Sequence, residues 1–185
     1  MDKDHQKELL SLARKILENE LLGSTHDIER HNKEAFQRVQ GVFVTLKIKN
    51  NLRGCIGRIE AQQPVFDNII ELSKASAFED HRFSPLTQKE LKKTTIEISI
   101  LSEPVEIEGQ DSYEKIRKIK PKTDGVIISA EGKRATFLPQ VWEALPIREK
   151  FVSDLCRKAG LPKNYWENNL IDISTYQVEH FEEVQ

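Results

Sequence analysis

The chain has 185 residues and sets 28 Lys+Arg against 30 Asp+Glu, for a net charge of −2. That balance offers no electrostatic footprint for nucleic acid or an anionic membrane. With 38% hydrophobic and 31% charged residues, the chain is long enough to bury a core without help from a metal or a disulfide. The only cysteines, Cys55 and Cys156, make neither a disulfide framework nor a zinc-ligand spacing.

A first helix is expected over residues 3–21, where Leu9, Leu10, Leu12, Ala13, Ile16, Leu17 and Leu21 recur at helical spacing. Its polar opening reads as the start of that helix and not as a signal peptide. After a polar connector to about residue 40, Val42, Val44, Leu46 and Ile48 alternate as a strand over 41–49. Asn50-Asn51 reads as a two-residue turn into a second strand over 52–60. Pro64 opens a helix to about Phe78 that ends in small residues, Ser73, Ala75, Ser76 and Ala77. A loop, 79–85, leads to a capping box at Thr87 and Glu90. The strand 94–101 alternates Ile96, Ile98 and Ile100 with Glu97 and Ser99, which favours antiparallel pairing with one wet face.

Asp111 and Glu114 form a further capping-box pair, opening a helix to about Ile119. A second hairpin, 125–130 and 133–138, turns at Glu131-Gly132. From Pro146 a helix carries Phe151, Val152, Leu155, Cys156 and Ala159 on one stripe, and Gly160 and Pro162 stop it. A last strand is expected from Leu170 to about Phe181. The order hairpin, helix, strand occurs twice, over 41–101 and 125–181, which hints at two related halves. Hairpins outnumber crossovers, so the fold class is α+β with a mostly antiparallel sheet. No apolar run approaches the roughly 20 residues that span a bilayer. The expectation is a cytoplasmic protein with reduced thiols.

Leu52-Arg53-Gly54-Cys55-Ile56-Gly57 is the stretch that most resembles a site. Core strands avoid glycine, so two glycines around one thiol suggest a bulge or a close approach by a ligand. Strand alternation puts Arg53, Cys55 and Gly57 on one face and Leu52, Gly54 and Ile56 on the other. A guanidinium near a thiol favours the reactive thiolate, and amides freed by glycine suit an oxyanion. Three readings of Cys55 stand at this point: a nucleophile, a ligand contact, or a small residue in a tight hairpin. Asp80 and Arg82, beside Phe83, suit a polar or anionic ligand, and equally an ion pair that ties down the loop. Gln140, beside Pro139, is a ligand candidate or a turn-capping amide. His81 is the one histidine in a motif loop and the candidate for a Cys–His dyad, whereas His26 and His31 read as solvated. Cys156 reads as an inert core thiol, and Trp142 and Trp166 as packing residues. Nothing suggests a metal or an organic cofactor.

These pieces together resemble the AMMECR domain family, the small proteins of the AmmeMemoRadiSam system. The resemblance is carried by Gly41-Val42-Phe43-Val44-Thr45-Leu46, by the hexapeptide around Cys55, and by Ala77-Phe78-Glu79-Asp80-His81-Arg82-Phe83-Ser84-Pro85-Leu86. It continues through Glu97-Ile98-Ser99-Ile100-Leu101, Asp124-Gly125-Val126, Phe137-Leu138-Pro139-Gln140-Val141 and Leu155-Cys156-Arg157-Lys158-Ala159-Gly160-Leu161. His81 and Ser84 stand where the family often has proline. The resemblance implies one domain over 1–185 with a barrel-like sheet and helices outside it. It implies two subdomains, split near 40–100 and the remainder, that meet at a cleft faced by the Arg-Gly-Cys segment. The implied site is Cys55 with Arg53, Gly54, Gly57, Asp80, Arg82, Phe83 and Gln140. It would bind a small anionic ligand, or a segment of a Memo-like or radical SAM partner. The alternative is an enzyme with Cys55 as nucleophile assisted by Arg53.

Overall fold

The computed structural model describes residues 1–29 and 33–184; His31, read above as solvated, lies outside them. Local chemistry explains the element boundaries. Helix α1 (Lys3–Leu22) starts where the Asp2 carboxylate accepts from the Asp4 and His5 amides, and it stops at Gly23, φ 66°. A short α2 (Glu34–Gln37) buries Phe36 within the stretch expected as a polar connector. Strands β1 (Val42–Ile48) and β2 (Asn51–Arg58) form the first hairpin. The turn sits one residue earlier than expected, at Lys49 (φ 52°) and Asn50 (φ 63°). Two left-handed residues give the turn the twist that flanking strands need. Helix α3 (Val65–Phe78) follows Pro64, α4 (Gln88–Leu91) has the full Thr87–Glu90 capping box, and β3 (Thr94–Leu101) comes next.

The chain divides into two compact units, residues 1–101 with 179–185, and residues 102–178. In the first, the sheet order is β2-β1-β3-β8, where β8 is Val178–Glu182. Val42, Val44 and Leu46 of β1 face Ile100, Ile98 and Ile96 of β3 in antiparallel register. These six lie in one core with Leu9, Ala13 and Leu17 of α1 and Ile69 and Leu72 of α3. Each such valine, leucine or isoleucine side chain, fully buried, contributes about 1.5–3 kcal/mol.

The second unit holds β4 (Val105–Glu106), α5 (Ser112–Lys118), β5 (Gly125–Ala130) and β6 (Lys133–Phe137), followed by the 3-10 turn Pro139–Glu143. Helices α6 (Arg148–Lys158) and α7 (Tyr165–Asn168) and strand β7 (Asp172–Tyr176) complete it. Its sheet order is β4-β7-β5-β6. Trp142 stacks on Phe151 with ring centroids 3.7 Å apart, and its indole donates to the Asp124 carbonyl at 2.7 Å. Cys156 is fully buried in this core.

Taken from the hairpin outward, the two sheets are β2-β1-β3-β8 and β6-β5-β7-β4, with α3 or α6 between the hairpin and the strand that next joins it. The halves hinted at by element order, 41–101 and 125–181, share the order of three strands, but the fourth strand of each sheet, β8 or β4, comes from outside its half. The single strand expected over 170–181 is two strands, β7 and β8, that belong to different sheets. Between them the Gln177 amide donates to Ser102 Oγ at 3.0 Å, and the Ser102 amide donates to the Gln177 carbonyl at 2.9 Å. The α+β class and antiparallel pairing hold. Barrel-like closure is not found among the described residues: the strands form two open four-stranded sheets.

Candidate functional site

The hexapeptide lies on β2, an edge strand of the first sheet. Pairing runs Val44↔Ile56, Thr45↔Cys55 and Leu46↔Gly54, then shifts so that Lys47 faces Leu52 and Arg53 is the extra residue. Such a shift is a β-bulge. Gly54 and Ile56 therefore share the core side with Val44 and Leu46, while Cys55 and Gly57 share the opposite side with Thr45 and Phe43. Leu52 departs from simple alternation. The bulge carries it across to face Lys47, and it is 44% exposed.

Both glycines answer to close approaches. A Cβ on Gly54 would overlap the Ser76 carbonyl oxygen of α3, and one on Gly57 would enter the Phe43 ring. The small residues near the end of α3 let the helix come down onto the strand. Ser76 Oγ then accepts from the Ile56 amide at 3.0 Å and donates to the Val44 carbonyl at 2.7 Å, joining the two strands at one rung.

Just past α3, Asp80 is 6% exposed. Its carboxylate accepts from the Cys55 amide (2.8 Å), the Arg82 amide (3.1 Å), Arg82 Nε (2.9 Å) and Arg82 Nη2 (2.7 Å). The Arg82 guanidinium, helped by these amides, holds the carboxyl well below the usual carboxylate range despite its burial. Arg82 Nη2 also donates to the Cys55 carbonyl at 3.1 Å. Both backbone groups of Cys55 are thus fastened from one loop. This is also how an edge strand is kept from pairing with another chain.

Arg53 turns toward α4. Its Nε donates to Glu90 Oε1 at 2.9 Å, and its Nη2 to the carbonyls of Ser84 (2.9 Å) and Pro85 (3.3 Å) and to Glu90 Oε2 (3.2 Å). Hydrogen bonds from Arg53, then from Thr87, pull the Glu90 carboxyl down to about 2. Phe83 lies between the two guanidinium groups, 5.8 Å from Arg53 and 5.6 Å from Arg82, within cation–π range.

The Cys55 sulfur is half-buried, and Thr45 Oγ1 donates to it at 3.2 Å. Two chemical expectations change. The amides of Cys55 and Ile56 are bonded to Asp80 and Ser76, so neither is spare for an oxyanion. The Arg53 charge is spent on Glu90 and two carbonyls, with the side chain 12% exposed, so it is not a free cation for a thiolate. The sulfur accepts from a hydroxyl and has the Arg82 guanidinium as a neighbour, whereas His81, the dyad candidate, is exposed. By contrast, Cys156 is fully buried, and burial pushes its thiol up.

The structure brings Arg53, Gly54, Cys55, Gly57, Asp80, Arg82 and Phe83 together within the first unit. Gln140 belongs to the second unit, exposed in the 3-10 turn. Sequence reasoning missed the parts played by Ser76, Thr45 and Phe43. It saw Glu90 as a cap and not as the partner of Arg53. The signal for Ser76 was present in the run of small residues, whereas Thr45 and Phe43 required the register and Glu90 the approach of α4. Among the described residues no group of three or more His, Cys, Asp or Glu side chains could hold a metal ion, and no helix is long and apolar enough to cross a membrane.

Comparison with known proteins covers nearly all of this architecture. A protein of Methanothermobacter thermautotrophicus is 34% identical over 191 residues, spanning 99% of this chain and 96% of its own. Protein MJ0810 of Methanocaldococcus jannaschii is 36% identical over 180 residues, spanning 94% and 87%. The crystal structure of the uncharacterized protein PH0010 from Pyrococcus horikoshii superposes with a TM-score of 0.76 at 34% identity, over 95% of this chain and 89% of that one. The family profile for AMMECR1 matches residues 10–181, which include every residue around Cys55 and both sheets apart from Glu182. This chain belongs to the AMMECR1 family.

Proposed function

We propose that this protein is a binding module, and that Arg82, Phe83 and Cys55 form the contact for a small anionic ligand. The observation that carries this reading is the state of Arg82. Its Nε and Nη2 brace Asp80 and the Cys55 carbonyl, the guanidinium also interacts with the Cys55 side chain, Nη1 has no other hydrogen bond among the described residues, and the side chain is 56% exposed. A guanidinium oriented by one carboxylate keeps an outer edge free for a second anion. Phe83 adds an aromatic surface beside it. Arg53, Gly54 and Gly57 hold the platform, and Asp80 aims Arg82. A segment of a Memo-like or radical SAM partner would present its anionic group to the same edge; that setting rests on the family resemblance. Covalent catalysis is the weaker reading, because the sulfur accepts from a hydroxyl, Arg53 is taken by Glu90, and Arg82, which does interact with the Cys55 side chain, is shared with Asp80.

An amide-resolved NMR titration with inorganic phosphate and with succinate tests the proposal. Binding should move the Cys55, Arg82 and Phe83 signals. Cys55→Ser should keep the effect and Arg82→Gln should abolish it, with circular dichroism confirming that both variants are folded. No movement with either probe would overturn the reading. Loss in Cys55→Ser with retention in Arg82→Gln would replace it with a thiol-centred one.

A further inference from the structure

Away from the Cys55 site, α1, the β1–β2 turn, the segment before β3 and the end of β8 enclose an open groove of about 970 Å³. Its rim carries Lys7, Arg14, Lys49, Lys92 and Lys93, with Glu182 and Glu183 on one wall. Lys92 and Lys93 also border a neighbouring recess that contains Lys89.

The two acids do not cancel these lysines. Arg14 is bound to Glu183 through both Nε (2.9 Å) and Nη2, and it also donates to the carbonyls of Leu91 (3.1 Å) and Thr94 (2.7 Å). Glu183 accepts the Ile96 amide at 2.9 Å as well. Glu182 is paired with Lys47 at 3.2 Å. Among the described residues Lys7 reaches only Asp4, at 3.9 Å with both side chains exposed, a geometry worth little. Lys49, Lys89, Lys92 and Lys93 are exposed and make no ion pair among the described residues. Among the described residues, a chain of net charge −2 thus concentrates positive charge without ion-pair partners around one groove.

We infer that this groove docks a short acidic segment of a partner protein. Charge complementarity sets the sign of the occupant. Its class follows from what the rim lacks. The one arginine is consumed internally, so no bidentate fork is free for phosphates. Among the described residues no aromatic side chain lines the groove to stack a base. Separate point charges on flexible stems suit carboxylates spaced along an extended peptide.

The test is fluorescence polarisation on the full chain with a dye-labelled ten-residue peptide that alternates Glu and Ser, and with a single-stranded oligonucleotide of ten nucleotides. The peptide should bind at low salt and weaken as salt rises. Lys92→Glu with Lys93→Glu should weaken it at least fivefold, Lys92→Gln with Lys93→Gln should weaken it in the same direction, and Lys150→Glu on α6 should not. Absence of peptide binding, a loss below fivefold in the charge-reversal variant, or equal loss in Lys150→Glu would overturn the inference. Tighter binding of the oligonucleotide than of the peptide through the same lysines would also overturn it and make the groove a nucleic-acid contact.

Discussion

Replacing Asp80 by asparagine tests whether the loop after α3 holds the Cys55 strand. The carboxylate accepts four hydrogen bonds, one from the Cys55 amide and three from Arg82. The substituted carboxamide would offer one oxygen and turn an NH2 toward donors. An N–H left unsatisfied in a buried setting costs about 1–3 kcal/mol. Losing one partner of a fully buried ion pair costs about 3–5 kcal/mol, but Arg82 is 56% exposed and regains water, so the pair counts for less here. Together the expected loss at pH 7 is about 2–4 kcal/mol. With a urea m-value of about 2 kcal/mol/M, that lowers the unfolding midpoint by about 1–2 M. The folded carboxyl lies below its unfolded value, so its contribution is complete above the unfolded pKa and is lost as the pH falls toward the folded one. Urea melts of both proteins should therefore differ by a constant amount between about pH 7 and pH 5, and should begin to converge below about pH 4. A difference under about 0.5 kcal/mol at pH 7, or one that persists undiminished at about pH 3, would refute the reasoning.

Other expectations follow from the same site. Gly54→Ala should cost more than Gly57→Ala in urea melts, at least about 3 kcal/mol against about 1–3, because the helix carbonyl facing Gly54 cannot move whereas the Phe43 ring can turn; the reverse order would contradict the close-approach account. Ser76→Ala should cost about 1–3 kcal/mol and speed hydrogen exchange at Ile56, and unchanged exchange there would show that the strands close the rung without the hydroxyl. Iodoacetamide should modify Cys55 in the folded protein and Cys156 only after denaturation, read by peptide mass mapping; comparable labelling of both in the native state would remove the contrast in burial. The pull of Arg53 on Glu90 means that Glu90→Gln should lower stability at pH 7 and lose its effect as the pH drops from about 4.5 toward about 2; a urea-melt difference that is flat across that range would contradict it.

Most elements were legible because each has a local cause. Asp2 and Gly23 bound α1, Thr87 and Glu90 cap α4, and the isoleucines of β3 alternate in the sequence itself. Elements without a local signature were missed. Helix α2 and strand β4 are too short to show a period, and each gains its place from a partner elsewhere. The 170–181 segment shows the same limit from the other side. It looks continuous because strand propensity does not record which sheet a residue joins.

At the site, the sequence by itself determined that a thiol would sit between two glycines beside an arginine, and that an Asp-x-Arg-Phe loop would follow a helix ending in small residues. It also determined the α+β class, since hairpin turns and alternating strands are local facts of the chain. Only the tertiary structure decided what those groups do. A one-residue bulge carried Leu52 away from the core face, Glu90 arrived 37 residues downstream to take the Arg53 charge, and Asp80 and Ser76 took the amides that had looked free. Partner choice depends on register and on the approach of distant segments. A carboxylate within about 3 Å neutralises a guanidinium however far apart the two stand in the chain.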